Sequence, residues 1–143
     1  MTQEEKSILL RDLCGRLPYN VKVKHAHFHK NGEDADIVLN TYNAHKLLNG
    51  MSIYAIRPYL RPMASITEDE KNELKRIYDA EQVDNIGIYF SEGCTLEEYC
   101  SLITFAMCGF VADWLNAHHF DYNGLIAKNL ALVAPEGMYE IKQ

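Results

Sequence analysis

The amino-acid sequence predicts an α+β fold: a small antiparallel β-meander over about residues 19–57, packed with three main helices over about 3–16, 67–80 and 95–118, the third of them central. Three observations predict it. Thr2 with Glu5, Thr67 with Glu70 and Thr95 with Glu98 are capping-box pairs, each followed by apolar residues at helical spacing. Residues 19–41 alternate with a period of two, which belongs to strands. Pro58 and Pro62 divide the alternating region from the helical segments downstream, since a proline pushes the residue before it out of the helical region.

The first helix opens with Glu4 and Glu5, where a helix N-terminus favours negative charge, and buries Leu9, Leu10, Leu13 and Leu17. Gly15 and Pro18 are expected to stop it. From Tyr19, Val21, Val23, His25, His27 and His29 fall on one side of a strand and Lys22, Lys24, Ala26 and Phe28 on the other. The polar run 30–34 reads as a turn, after which Ile37, Leu39 and Thr41 alternate again, so a hairpin is expected. Asn49-Gly50 signals a second hairpin, joining a segment near Lys46–Leu48 to Met51–Ile56. The segment IRPYLRPM, residues 56–63, must be extended and ends the sheet region. Leu74, Ile77 and Tyr78 give the second helix a narrow apolar side, placing it on the surface. Residues 83–93 read equally as a short strand or a packed loop. The third helix carries Leu96, Tyr99, Ile103, Met107, Phe110 and Trp114 in one stripe and is apolar on other sides too, as an interior helix is. Asp121 can cap one more short helix, and Pro135-Glu136-Gly137 is a turn.

A chain of 143 residues has the size of one domain, expected to span 1–143, and buries roughly 70% of its unfolded surface on folding. Hydrophobic residues at 48% and charged residues at 24% exclude general disorder. The net charge of −6 makes nucleic acid an unfavourable partner, since phosphates demand a basic face. The opening MTQEEKS lacks the basic flank and apolar core of a signal peptide, and the longest apolar stretch, near Leu102–Leu115, is too short to cross a bilayer. A soluble, cytoplasmic protein without membrane contact is the expectation. Cys14, Cys94, Cys100 and Cys108 form no C-x-x-C pair and are expected to be reduced and packed as small apolar groups.

Three pieces, LLRDLCGRLPYNVKV (9–23), IRPYLRPMASITEDEK (56–71) and WLNAHHFDYNGLIAKNLALVAPEGMY (114–139), resemble in this order an uncharacterised family of small proteins from gut bacteria and their phages. The resemblance brings no activity, because none is assigned to that family. This chain also departs from it: Asn123 stands where the family commonly has arginine, and Asn129 where it has glycine.

Three groups of residues could carry chemistry. His25 and His27 share a strand face at a spacing that chelates zinc or another divalent metal, given a further ligand such as Asp34 or Asp36 across the hairpin. His29 is ~13 Å from His25 at a strand rise of ~3.3 Å and cannot join the same ion. The bland alternative is an exposed strand end among lysines, and no cofactor is predicted. His118, His119 and Asp121 are the second group: a carboxylate beside an imidazole supports general-base catalysis or metal binding. Against this, a histidine at a helix C-terminus favours the dipole, and Asp121 suits a cap. Arg57, Tyr59 and Arg61 are the third. Two planar guanidiniums on a stiff segment can grip a carboxylate or phosphate, or pair with the protein's own acids and anchor the crossover from sheet to helix. No phosphate loop, nucleophile elbow or H-E-x-x-H motif is present. The function expected is therefore a non-enzymatic accessory protein of a bacterial or phage genome that binds another protein. The alternative is a metal-dependent hydrolase or nuclease using the His and Asp residues. A weaker third reading is nucleic-acid binding through Arg57, Arg61 and the hairpin lysines.

Overall fold

The computed structural model describes residues 1–26, 28, 30–48, 50–81 and 109–139. It has an α+β fold. Helix α1 spans Gln3–Arg16 and starts as its sequence dictates: Glu5 N–H donates to Thr2 Oγ1 at 3.1 Å while Thr2 N–H donates to Glu5 Oε2 at 2.8 Å. Gly15 does not end the helix. It lies within the last turn, where an added Cβ would come within 3.0 Å of the Asn116 amide, so the missing side chain lets a neighbouring segment approach.

Strands β1 (Val21–His25) and β2 (Ala35–Leu39) form the expected antiparallel hairpin, with Val21 opposite Leu39 and His25 opposite Ala35. The second hairpin does not form. Ala44–Leu47 is a short helix, α2, and Gly50–Ala55 is 3-10 helix. The local reason is an asparagine turn: Asn40 N–H donates to Asn43 Oδ1, and Tyr42 and Asn43 N–H donate to Asn40 Oδ1, which turns the chain before the segment can pair. Leu47 and Ile53 are then buried from helical turns rather than from a strand.

Nor do the prolines end the sheet. Ile56–Leu60 is strand β3, flanked by antiparallel β1 and by the two-residue parallel strand β4 (Leu132–Val133), giving the order β2-β1-β3-β4. The sheet is therefore mixed rather than a meander. Pro58 is tolerated because ladder bonds alternate in direction along a strand. Ala26 N–H bonds Ala55 C=O, so alternation puts the next bonded positions of β3 at Arg57 and Tyr59, and the nitrogen of Pro58 faces away from β1.

Side chains from α1, the inner sheet face and residues 125–131 form one apolar cluster around Leu9, Leu13, Val21, Val23, Ile56 and Leu60, all with no exposed surface. Each such burial contributes roughly 1.5–3 kcal/mol. A second cluster joins Leu74 of α3 (Glu68–Glu81) to Val111, Trp114 and Leu115 of α4 (Gly109–Ala117) and to Phe120. Of the expected long third helix the last part is seen, with Val111, Trp114, Leu115 and Asn116 buried and Asp113 exposed; Thr95–Cys108 and the ambiguous stretch 83–93 lie outside the described residues. Cys14 is exposed, against the expectation of a packed thiol, and the other cysteines also fall outside the described residues. No described helix is long and apolar enough to cross a membrane.

Candidate functional site

Strand β3 and its continuation bring the nominated arginines to two different hollows. Arg57, Tyr59 and Arg61 alternate with Pro58 and Leu60, so they project from the face opposite the main core. Tyr59 lies between the arginines but is buried, and its hydroxyl donates to Asp36 at 2.8 Å. It is not free to stack on a ligand. Burial first, then the bond to Asp36, pushes its phenol pKa up.

Arg61 meets Glu70 end-on, with Nη1 to Oε1 at 2.8 Å and Nη2 to Oε2 at 2.9 Å, and its guanidinium stacks over Phe120 at 4.1 Å. Glu70 also closes the α3 capping box, accepting from Thr67 N–H at 2.9 Å. One carboxylate thus starts a helix and holds the arginine. Burial pushes Glu70 up, but its hydrogen bonds from Arg61 and Thr67 outweigh that and hold it below the usual carboxylate range. This pair floors a cleft of about 560 Å³ walled by Pro62, Val133, Ala134, Pro135 and Tyr139. Its walls are mainly apolar, and its one cation is already neutralised.

Tyr139, at the rim of this cleft, does something the sequence does not announce. Where Lys22 and Tyr59 would exchange ladder bonds, its hydroxyl stands between them, accepting from Lys22 N–H at 2.9 Å and donating to Tyr59 C=O at 2.8 Å. The sheet is wedged open by one phenol. Burial pushes the Tyr139 pKa up to about 12, which keeps the hydroxyl a donor. The ring stacks on His119 at 3.7 Å.

His119 has φ 60° and is 7% exposed, with Nδ1 buried and unpartnered among the described residues. Burial, then the nearby charge of Arg16, lowers its pKa from 6.5 to about 3. The folded protein therefore holds this imidazole neutral, while the unfolded chain takes up a proton as pH falls through 6.5. Stability from this group is complete above pH 6.5 and declines below it, by up to about 1.4 kcal/mol per unit. Urea unfolding at pH 7 and pH 5 is expected to show a loss of about 2 kcal/mol from this group. His119→Asn, which tolerates the left-handed backbone, should lack that loss; an equal loss in both proteins would contradict a buried neutral ring.

The remaining nominated residues do not converge. His118 Nδ1 lies 2.9 Å from Trp114 C=O and its ring stacks on Trp114. Asp121 accepts from Leu125 N–H at 2.8 Å and Ile126 N–H at 2.9 Å, as a cap. Each is therefore engaged elsewhere, and neither lines the hollow that holds Arg57. His25 Nδ1 lies 2.9 Å from Ala26 C=O, and His27 is outside the described residues. Asp36 sits opposite Lys24, on the face away from His25, so it cannot complete a site there. Among the described residues no three His, Cys, Asp or Glu side chains gather at metal-binding distance.

Arg57 reaches the loop before β4, where its Nη2 donates to Asn129 C=O at 2.8 Å and to the Asn129 side-chain oxygen. Asn129 holds φ 59°, a conformation asparagine tolerates better than most residues. The surrounding hollow, about 400 Å³, is lined by Met1, Glu5, Tyr54, Ile56, Arg57, Lys128, Asn129 and Leu130. Sequence reading found Arg57 but not Lys128 or Tyr54, which reach it only through the fold. No protein-family model, curated protein or solved structure matches this chain.

Proposed function

We propose that the protein is a non-enzymatic accessory protein of a bacterial or phage genome, working in the cytoplasm by binding another protein. The observation that supports this is the 560 Å³ cleft beside Arg61. Its one cation is paired with Glu70, and the other carboxylate in its lining, Glu136, is exposed to solvent, so entry of an uncharged group strands no ion. The walls offer Pro62, Val133, Pro135 and Tyr139, with Val133 55% exposed. A concave, mainly apolar surface with a pre-paired ion pair fits an apolar side chain on an extended segment of a partner. The catalytic alternative lacks comparable support, because His118, Asp121 and His25 each make local contacts rather than a shared site.

Val133→Asp tests this reading, since an exposed side chain can change without disturbing the fold. Tagged protein in an extract of the cells that express it is expected to retain one partner in stoichiometric amount, and the aspartate variant to lose it. Equal retention by both proteins, or none by either, refutes the cleft as a docking site.

A further inference from the structure

The second hollow, at the other end of β3, differs from the first in charge. Arg57 and Lys128 line it, and Lys6, outside the lining, holds its Nζ 5.1 Å from the ring centre of Tyr54. Among the described residues none of these three cations has a carboxylate within 4.0 Å. Contrast Arg16 and Arg61, which are both paired. The single acid in the lining, Glu5, has its carboxylate tied to Thr2 N–H in the α1 capping box. The side chains lining the hollow thus present two cations, Arg57 and Lys128, against one carboxylate that is already engaged in the cap.

Arg57 is also oriented. Asn129 takes both bonds through Nη2, leaving the Nε and Nη1 donors without partners among the described residues. A guanidinium fixed from one side with open donors on the other is set to receive an oxyanion. Tyr54, 46% exposed, presents a ring at the same place. Two lining cations match a dianionic phosphate better than a single carboxylate, and a volume of about 400 Å³ lies in the range of small-molecule sites. A polynucleotide fits less well, because the chain is acidic as a whole.

We propose that this hollow binds a small phosphate monoester carrying a flat ring, with Arg57 and Lys128 on the phosphate and Tyr54 against the ring. Calorimetric titration of the intact protein with phenyl phosphate and with inorganic phosphate tests it. Phenyl phosphate is expected to bind saturably and more tightly than inorganic phosphate. Arg57→Gln and Lys128→Gln should each weaken it about tenfold or more, as loss of a charged hydrogen bond does, with an unchanged circular dichroism spectrum. Tyr54→Ala should bring phenyl phosphate down to the affinity of inorganic phosphate. The proposal is overturned if phenyl phosphate shows no saturable binding, if inorganic phosphate binds equally well, or if folded Lys128→Gln keeps full affinity. Lys128 is exposed, so that last variant remains decisive even if Arg57→Gln fails to fold. The cleft at Arg61 is untouched by these changes, so its own test stands apart.

Discussion

Trp114→Ala is expected to lower the stability of the protein by about 3–5 kcal/mol, the usual cost of removing a core aromatic. Trp114 is 7% exposed and stands between two rings, stacked on His118 at 3.9 Å and on Phe120 at 5.8 Å. Phe120 in turn supports the Arg61 guanidinium, so the cavity would open beneath the cleft as well as beside Leu74 and Leu115. For a chain of this length the change corresponds to a fall in melting temperature of about 10 °C or more. Trp114→Phe should cost less: it keeps much of the packing and removes an indole N–H that is buried without a partner among the described residues. A melting temperature for Trp114→Ala equal to that of the parent would contradict the placement of α4 in the interior.

The features legible in the sequence are those decided by neighbours in the chain. Capping boxes depend on residues three apart, so Thr2 with Glu5 and Thr67 with Glu70 could be read directly, and both form. The β1–β2 hairpin follows from alternation, and the cap at Asp121 from residue type. The features that sequence missed depend on partners far along the chain. Pro58 looks like the end of a sheet because a proline removes one donor, but only the pairing pattern says whether that donor was needed. Strand β4 is two residues long and exists because Tyr59 and Leu60 offer a free edge. The Asn49-Gly50 signal loses to the turn set by Asn40 and Asn43, a competition that hairpin statistics cannot settle. At the candidate sites, Arg57 and Arg61 are visible as a pair, yet their separation into a charged hollow and a neutral cleft requires Asn129 and Glu70 to be placed.

Asp12 and Arg16 sharpen the point, and they carry the second large effect. At i and i+4 on α1 they read as an ordinary surface pair worth a few tenths of a kcal/mol. The fold buries both side chains completely, with Nε to Oδ2 at 2.7 Å and Nη2 to Oδ1 at 2.9 Å. Arg16 also donates to Phe120 C=O at 2.6 Å and lies over the Tyr122 ring, while Asn123 donates to Asp12 at 2.9 Å. The pair thus ties the first helix to the turn that presents His119 and Asp121, 104 residues later. Asp12→Ala leaves a buried guanidinium without its counter-charge, which should cost about 3–5 kcal/mol. Asp12→Leu combined with Arg16→Met removes both charges, and is expected to be markedly more stable than the single variant despite changing one residue more. Urea titration of the two proteins decides between explanations. If the double variant is as unstable as Asp12→Ala, the contribution lies in the hydrogen bonds to Phe120 and Asn123; if it recovers most of the loss, the penalty is the stranded charge.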